Sequence, residues 1–195
     1  MSASVRMKVA LAVVAIVLVA ALVKLVYRPF PSDRTPEGAY MRIAHAVEDD
    51  RIKDVFPYLE TEAQWAGYTI RDARAKACAR IKASYPPPAG ADLLHAYSPL
   101  GEAPDGSDVF ALLATQKGWV ARLRKDLSGV VRVATEGERA SVVTARGTRY
   151  PFRRRDNGIW GLTIFTAELV AEGERASRDL AVVNAAADDY DRARK

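Results

Sequence analysis

From Val9 to Val23 the chain runs through fifteen residues without one charged or strongly polar side chain; Lys24 interrupts, and Leu25, Val26 and Tyr27 resume the run. Such a run suits either a bilayer or a leader that is removed. A hydrocarbon core of ~30 Å needs ~20 predominantly apolar helical residues. Residues 9–27 meet that length if the Lys24 side chain snorkels to the headgroups. Tyr27 and Phe30 then fall at the interface, where aromatic rings are favoured, and Pro29 and Pro31 stop the helix. A cleaved signal peptide would use Arg6 and Lys8 as its basic flank and Val19-Ala20-Ala21 as its cleavage site. The apolar run continues past Ala21, however, so the expectation is an uncleaved transmembrane helix over 9–27, between a short tail (1–8) and a linker (28–34). No cysteine follows the run, which excludes a lipoprotein. Basic residues flank both ends and nearly balance the positive-inside rule. The short tail favours N-inside, which makes this a single-pass protein of the inner (plasma) membrane with a periplasmic, extracytoplasmic domain.

Residues beyond the linker have the composition of a folded domain. Of the 195 residues 49% are hydrophobic and 27% charged, which excludes a disordered chain. One cysteine excludes a disulfide scaffold, and two histidines leave little room for a metal centre. Thr35-Pro36-Glu37 opens a helix with a capping hydroxyl, proline at N1 and an acid in the first turn. Tyr40, Ile43, Ala44 and Val47 follow at helical spacing, and Ile52, Val55, Phe56 and Leu59 continue it after an acidic corner. Thr61 and Gln64 form a capping-box pattern for a second helix. Its stripe of Ala63, Ala66, Ile70, Ala73, Ala77 and Ile81 is small enough for close approach to a neighbour. Pro86 to Gly90 reads as a stiff connection, with a short helical piece near Leu93 and Leu94. Residues 98–107 read as loop, and Asp108 opens a third helix that runs to Leu127.

The period then changes from 3.6 to 2. Residues 130–135, 139–145, 148–155 and 159–165 are rich in β-branched and aromatic side chains, divided by Glu136-Gly137, Arg146-Gly147 and Asn157-Gly158. Four such strands in succession make an antiparallel meander. Tyr150 and Phe152 share one face of the third strand, and Trp160, Leu162 and Ile164 one face of the fourth, toward the helices. Thr166 caps a final helix, 167–195, whose Leu169, Gly173, Ala176, Leu180, Val183, Ala187 and Tyr190 form an a/d seam. The fold class is α+β: helices, a four-stranded meander and a long C-terminal helix. Val131-Arg132-Val133, Glu136-Gly137-Glu138-Arg139-Ala140 and the Tyr150-Pro151-Phe152 strand ending in Asn157-Gly158-Ile159-Trp160 resemble the closing strands of the NTF2-like (SnoaL-like, cystatin-like) superfamily. The Thr35-Pro36-Glu37 helix resembles that superfamily's start, which sets the domain at 35–166. The resemblance implies a sheet wrapped around helices as a cone with a pocket. The mainly helical segment 86–128 and the helix after the sheet depart from that pattern.

No phosphate loop, nucleophile elbow, Ser/His/acid set or metal-ligand spacing is present, so no catalytic residue, cofactor or metal is expected. His45, with Glu48 and Asp49 at i+3 and i+4, is an acid/base pair, a weak metal site or, as the simpler reading, a solvated helix end with a local ion pair. His95 lies beside Tyr97 in or near a loop, and Cys78, flanked by alanines, reads as a buried thiol. Charge is the better signal: residues 129–166 carry seven arginines against three acids. Alternation places Arg149, Arg153 and Arg155 on one face, opposite Tyr150 and Phe152, with Arg132 on a neighbouring strand. Such a row either holds a partner's acidic surface or an anionic surface, or simply solvates an exposed sheet face. It lacks the interleaved aromatics of a nucleic-acid interface.

The expected function is a membrane-anchored, non-enzymatic protein-binding scaffold, an accessory subunit of an envelope complex. Its layout is similar to that of bitopic NTF2-like subunits of type IV secretion systems. The alternative is a small-molecule or lipid site lined by Trp65, Tyr150, Phe152 and Trp160. A second alternative is an enzyme working through His45 or His95. Leu180, Val183 and Ala187 pack on their own domain or join two copies into a homodimer.

Overall fold

The computed structural model describes residues 31–195 and, before them, only Val17 and Val19, both helical and exposed. The chain divides into two compact units, Met1–Phe30 and Pro31–Lys195. The expected span over 9–27 and the tail before it lie outside the described residues, Val17 and Val19 excepted. Among those described, no helix is long and apolar enough to cross a membrane.

The second unit is α+β. Helix α1 (Pro36–Glu48) leads to a 3₁₀ helix (Ile52–Tyr58) and the long α2 (Thr61–Ser84). Three shorter helices follow: α3 (Pro87–Gly101), α4 (Gly106–Gln116) and α5 (Trp119–Asp126). Strands β1 (Val130–Glu136), β2 (Arg139–Thr144), β3 (Arg149–Arg154) and β4 (Trp160–Leu162) form an antiparallel meander in chain order, and α6 (Thr166–Ala193) closes the chain.

Thr35 caps α1 as its sequence demands: its hydroxyl accepts from the Gly38 amide at 3.1 Å. Pro31–Arg34, which the sequence places in the linker, is bonded to the domain. The Asp33 carbonyl accepts from the Trp160 amide and the Arg34 carbonyl from the Trp160 indole at 3.1 Å. Glycines 137, 147 and 158 take positive φ in the three hairpin turns, where a side chain would be strained.

Four local expectations are corrected. Glu60, not Thr61, precedes the first turn of α2, and the Gln64 amide reaches back to the Phe56 and Leu59 carbonyls at the end of the 3₁₀ helix instead of closing a capping box. The triple proline does not form a connector. Pro87 and Pro88 open α3, where a missing N–H costs nothing, and the helix continues to Gly101, through residues 98–101, expected as loop. The single helix expected over 108–127 is two, broken by Gly118 at φ +70, and the first begins at Gly106, capped by Asp105, whose carboxylate accepts from the Ser107 and Asp108 amides. Thr166 is not the cap of α6; Phe165 holds that position, and the Thr166 hydroxyl donates to Glu60 at 2.9 Å.

The main core lies between the inner face of the sheet and the helices. Ala140, Val142, Tyr150, Phe152 and Leu162 meet Tyr40 and Ile43 of α1, Val55 and Phe56 of the 3₁₀ helix, and Phe110 of α4. Tyr40 packs on Tyr150 at 5.3 Å, and its hydroxyl donates to the Ser128 carbonyl at 2.7 Å. Trp119 stacks on Phe165 at 4.7 Å. A smaller cluster of Ala77, Ile81 and Val183 is covered by Tyr85, Leu93, Leu94, Tyr97 and Leu180. The alanine stripe of α2 is buried as expected, and the element in close approach is α6: a Cβ at Gly173 would meet Ala66 at 3.7 Å.

Candidate functional site

The arginine row splits in two. Residues 132, 143 and 149 are aligned across β1, β2 and β3, so Arg132 and Arg149 stand on either side of Val143 on the outer face of the sheet. Arg153 is on the same face, directly opposite Arg139. Its guanidinium, however, turns to the start of α2. It lies 2.6 Å from the buried carboxylate of Glu60 and 4.0 Å from Glu62. Arg155 leaves the row altogether. It follows the last residue of β3 and donates to the Pro57 carbonyl at 2.8 Å and to Gln64 Oε1 at 3.1 Å. Burial pushes its pKa down, and among the described residues its Nε has no hydrogen-bond partner. Two of the three arginines expected on an open face therefore brace the junction of the 3₁₀ helix, α2 and β3. Arg132 and Arg149, with Arg139, remain exposed.

The expected pocket is not assembled. Tyr150, Phe152 and Trp160 are core residues, 3%, 2% and 5% exposed, whereas Trp65 is 68% exposed on the outer side of α2. Their strand periodicity places the first three toward the helices, as expected, and there they are buried in the main core, apart from the exposed Trp65. Burial raises the pKa of the Tyr150 hydroxyl, which has no hydrogen-bond partner among the described residues.

Trp65 instead stands between two surface grooves. One, of about 330 Å³, is lined by Thr61, Gln64, Tyr68, Arg155 and Asn157. The other, of about 510 Å³, runs between α2 and α6 past Ala66, Val170, Gly173 and Ser177. Tyr68, half-exposed, packs edge-on against Phe56 at 5.6 Å and so presents a fixed ring beside the indole. Tyr68 escaped the reading of the sequence. It lies outside the apolar stripe of α2, and no periodicity separates an exposed functional aromatic from an incidental one.

The histidines are apart. His45 Nε2 lies 3.3 Å from Asp49 at the exposed end of α1, where Arg51 also holds Asp49. His95 is exposed on α3, a helix and not a loop. Cys78 is buried, with its sulfur 4.0 Å from the Ser98 hydroxyl. Among the described residues no group of three or more His, Cys, Asp or Glu side chains is placed to hold a metal ion.

The heptad seam of α6 packs on α2 of the same chain. Val183 and Ala187 are buried, and Leu180 is half-buried beside them. Charge contacts lock the pair: Arg74 to Asp179 at 2.7 Å, and Arg80 to Asp188 at 2.5 Å and Asp191 at 3.0 Å.

Comparison with family models, with curated proteins and with solved structures found no match to this chain.

Proposed function

We propose that residues 31–195 form the partner-binding domain of a single-pass, membrane-anchored, non-enzymatic protein. The domain lies outside the cytoplasm, where it serves as an accessory subunit of an envelope complex, and its sheet and helices follow an NTF2-like plan. One observation carries the binding role: an indole 68% exposed, set between two grooves on a rigid helix, with a second aromatic ring braced beside it. Trp and Tyr supply large contact area at small entropic cost and dominate the energetics of protein interfaces. The two exposed histidines, on separate helices, offer no shared acid/base geometry, so catalysis is not part of the proposal.

The test is a pulldown of the full-length protein from its own membranes in mild detergent, read by mass spectrometry. Wild-type protein brings down a stoichiometric partner. Trp65→Ala weakens its capture about 30-fold, the value for a hot-spot residue near 2 kcal/mol. Arg149→Glu, on another face, changes it little. A protein that emerges alone, or a partner retained undiminished by Trp65→Ala, refutes the reading.

A small-molecule site is the second reading. It is favoured by the Arg155 side chain, which lines the smaller groove with its Nε unsatisfied. Native mass spectrometry would then show a bound mass, lost on Trp65→Ala.

A further inference from the structure

The two edges of the sheet differ. The β4 edge is short and already covered: Leu59 bridges to Leu162, and the Glu60 amide donates to the Leu162 carbonyl at 3.1 Å. The β1 edge is seven residues long, and among the described residues β2 is its one neighbour in the sheet. Which β1 groups face outward follows from the ladder. Thr144 donates to Thr148, and Arg154 donates to Glu138, so the even-numbered residues of β2 bond to β3. Odd residues 139, 141 and 143 therefore bond to their β1 partners 136, 134 and 132. The N–H and C=O groups of Val133 and Thr135 point away from the sheet, and among the described residues they have no partner. Unpaired edges of this kind template the addition of another strand.

The side chains along this edge select the occupant. Arg132, Ala134 and Glu136 are exposed on the outer face, and neither charge has an ion-pair partner among the described residues. We infer that the β1 edge pairs antiparallel with β1 of a second copy of this chain, about a two-fold axis at Ala134.

That register puts Arg132 opposite the partner's Glu136, and Glu136 opposite the partner's Arg132. Centring the axis on Arg132 or Glu136 would oppose like charges, centring it on Val133 would pair neither, and centring it on Thr135 would leave Glu136 unmatched and set Arg132 only against the partner's Glu138, which lies in the hairpin turn beyond β1. Opposite charges directly across a ladder stabilise it, and like charges oppose it. With the axis at Ala134, Val133 and the partner's Thr135 exchange their free backbone bonds, twice over by symmetry. Val131, displaced by the bulge and 70% exposed, comes opposite the partner's Gly137, around which a Cβ would meet nothing within 4 Å. The contact is isologous and closes at two copies. It uses neither Trp65 nor the α6 seam, and it is independent of the proposed partner-binding role.

The symmetric position supplies the test. In full-length protein in mild detergent, with Cys78→Ala to remove the native thiol, Ala134→Cys places two sulfurs at a non-hydrogen-bonded pair with Cα atoms ~4.5 Å apart, within disulfide reach. Mild oxidation gives a covalent dimer. Glu136→Cys, offset from its own copy by four residues or roughly 13 Å, does not cross-link. By light scattering, Arg132→Glu weakens the dimer by about tenfold, and adding Glu136→Arg restores it. A monomer, a dimer in which Ala134→Cys cross-links no better than Glu136→Cys, or a charge swap that fails to restore association overturns the inference.

Discussion

Arg74 is a charged side chain inside a helix pair, and removing its partner has a calculable cost. The guanidinium is 9% exposed and lies 2.7 Å from Asp179 of α6, while its carbon stands 4.1 Å from the centre of the Tyr97 ring on α3. Three helices thus meet at one cation. In Asp179→Leu the cation keeps the aromatic face but loses its counter-ion. Breaking a buried pair from one side costs ~3–5 kcal/mol, because the remaining charge stays desolvated. Asp179 is 32% exposed, so water screens part of the interaction and the expected loss falls to about 2–3 kcal/mol. For a domain of this size that lowers Tm by roughly 4–12 °C. Adding Arg74→Met removes the stranded charge and fills its volume with an apolar chain, so the double variant should recover to within about 1 kcal/mol of wild type. The assay is thermal unfolding of the full chain followed by circular dichroism at 222 nm, with the four members of the cycle compared. An Asp179→Leu loss below about 0.5 kcal/mol, or a double variant worse than the single, would show that α6 does not pack on α2 in this register.

Two further perturbations follow from single positions. A Cβ at Gly161 would fall 2.7 Å from Glu60 Cα and 2.8 Å from the Leu59 carbonyl oxygen, both backbone atoms that cannot swing aside. Gly161→Ala should therefore cost about 3 kcal/mol in the same melt, whereas Gly129→Ala, with open space around it, should cost far less. Asp105 accepts from the Ser107 hydroxyl and from the amides at the start of α4, which holds its pKa below the usual carboxylate value of 3.8. Its contribution is complete above that value and is lost as the pH falls through the lower folded pKa. Asp105→Ala should remove about 1 kcal/mol at pH 7, and the gap to wild type should shrink in acid; a gap that widens would refute the cap.

Much of the fold is written in local chemistry. Thr35-Pro36-Glu37 begins a helix because an orphan amide needs an acceptor and proline lacks the donor that would be wasted. The glycines at 137, 147 and 158 turn the chain because positive φ is open to them, and the alternation of Tyr150 and Phe152 with Arg149, Pro151 and Arg153 sets the inner face of the sheet. The alanine stripe of α2 announced a close neighbour. All of these are properties of one segment at a time, with a period or a cap that no distant contact needs to supply.

The remaining features depended on what each segment meets. Alternation placed Arg155 with Arg149, but β3 ends at Arg154, and beyond it the guanidinium is drawn to the Pro57 carbonyl and Gln64, groups distant in sequence. Trp65 has the apolar character of a pocket residue, yet its position on α2 points it to solvent. The heptad seam of α6 has the same pattern whether its partner is a second copy or α2. Periodicity defines a buried face without naming its partner, and here α2 of the same chain covers it, with Arg74 and Arg80 matched to Asp179, Asp188 and Asp191. The register of β1 belongs to the same class: only the ladder reveals that, among the described residues, Val133 and Thr135 keep free backbone groups and Arg132 and Glu136 have no ion-pair partner.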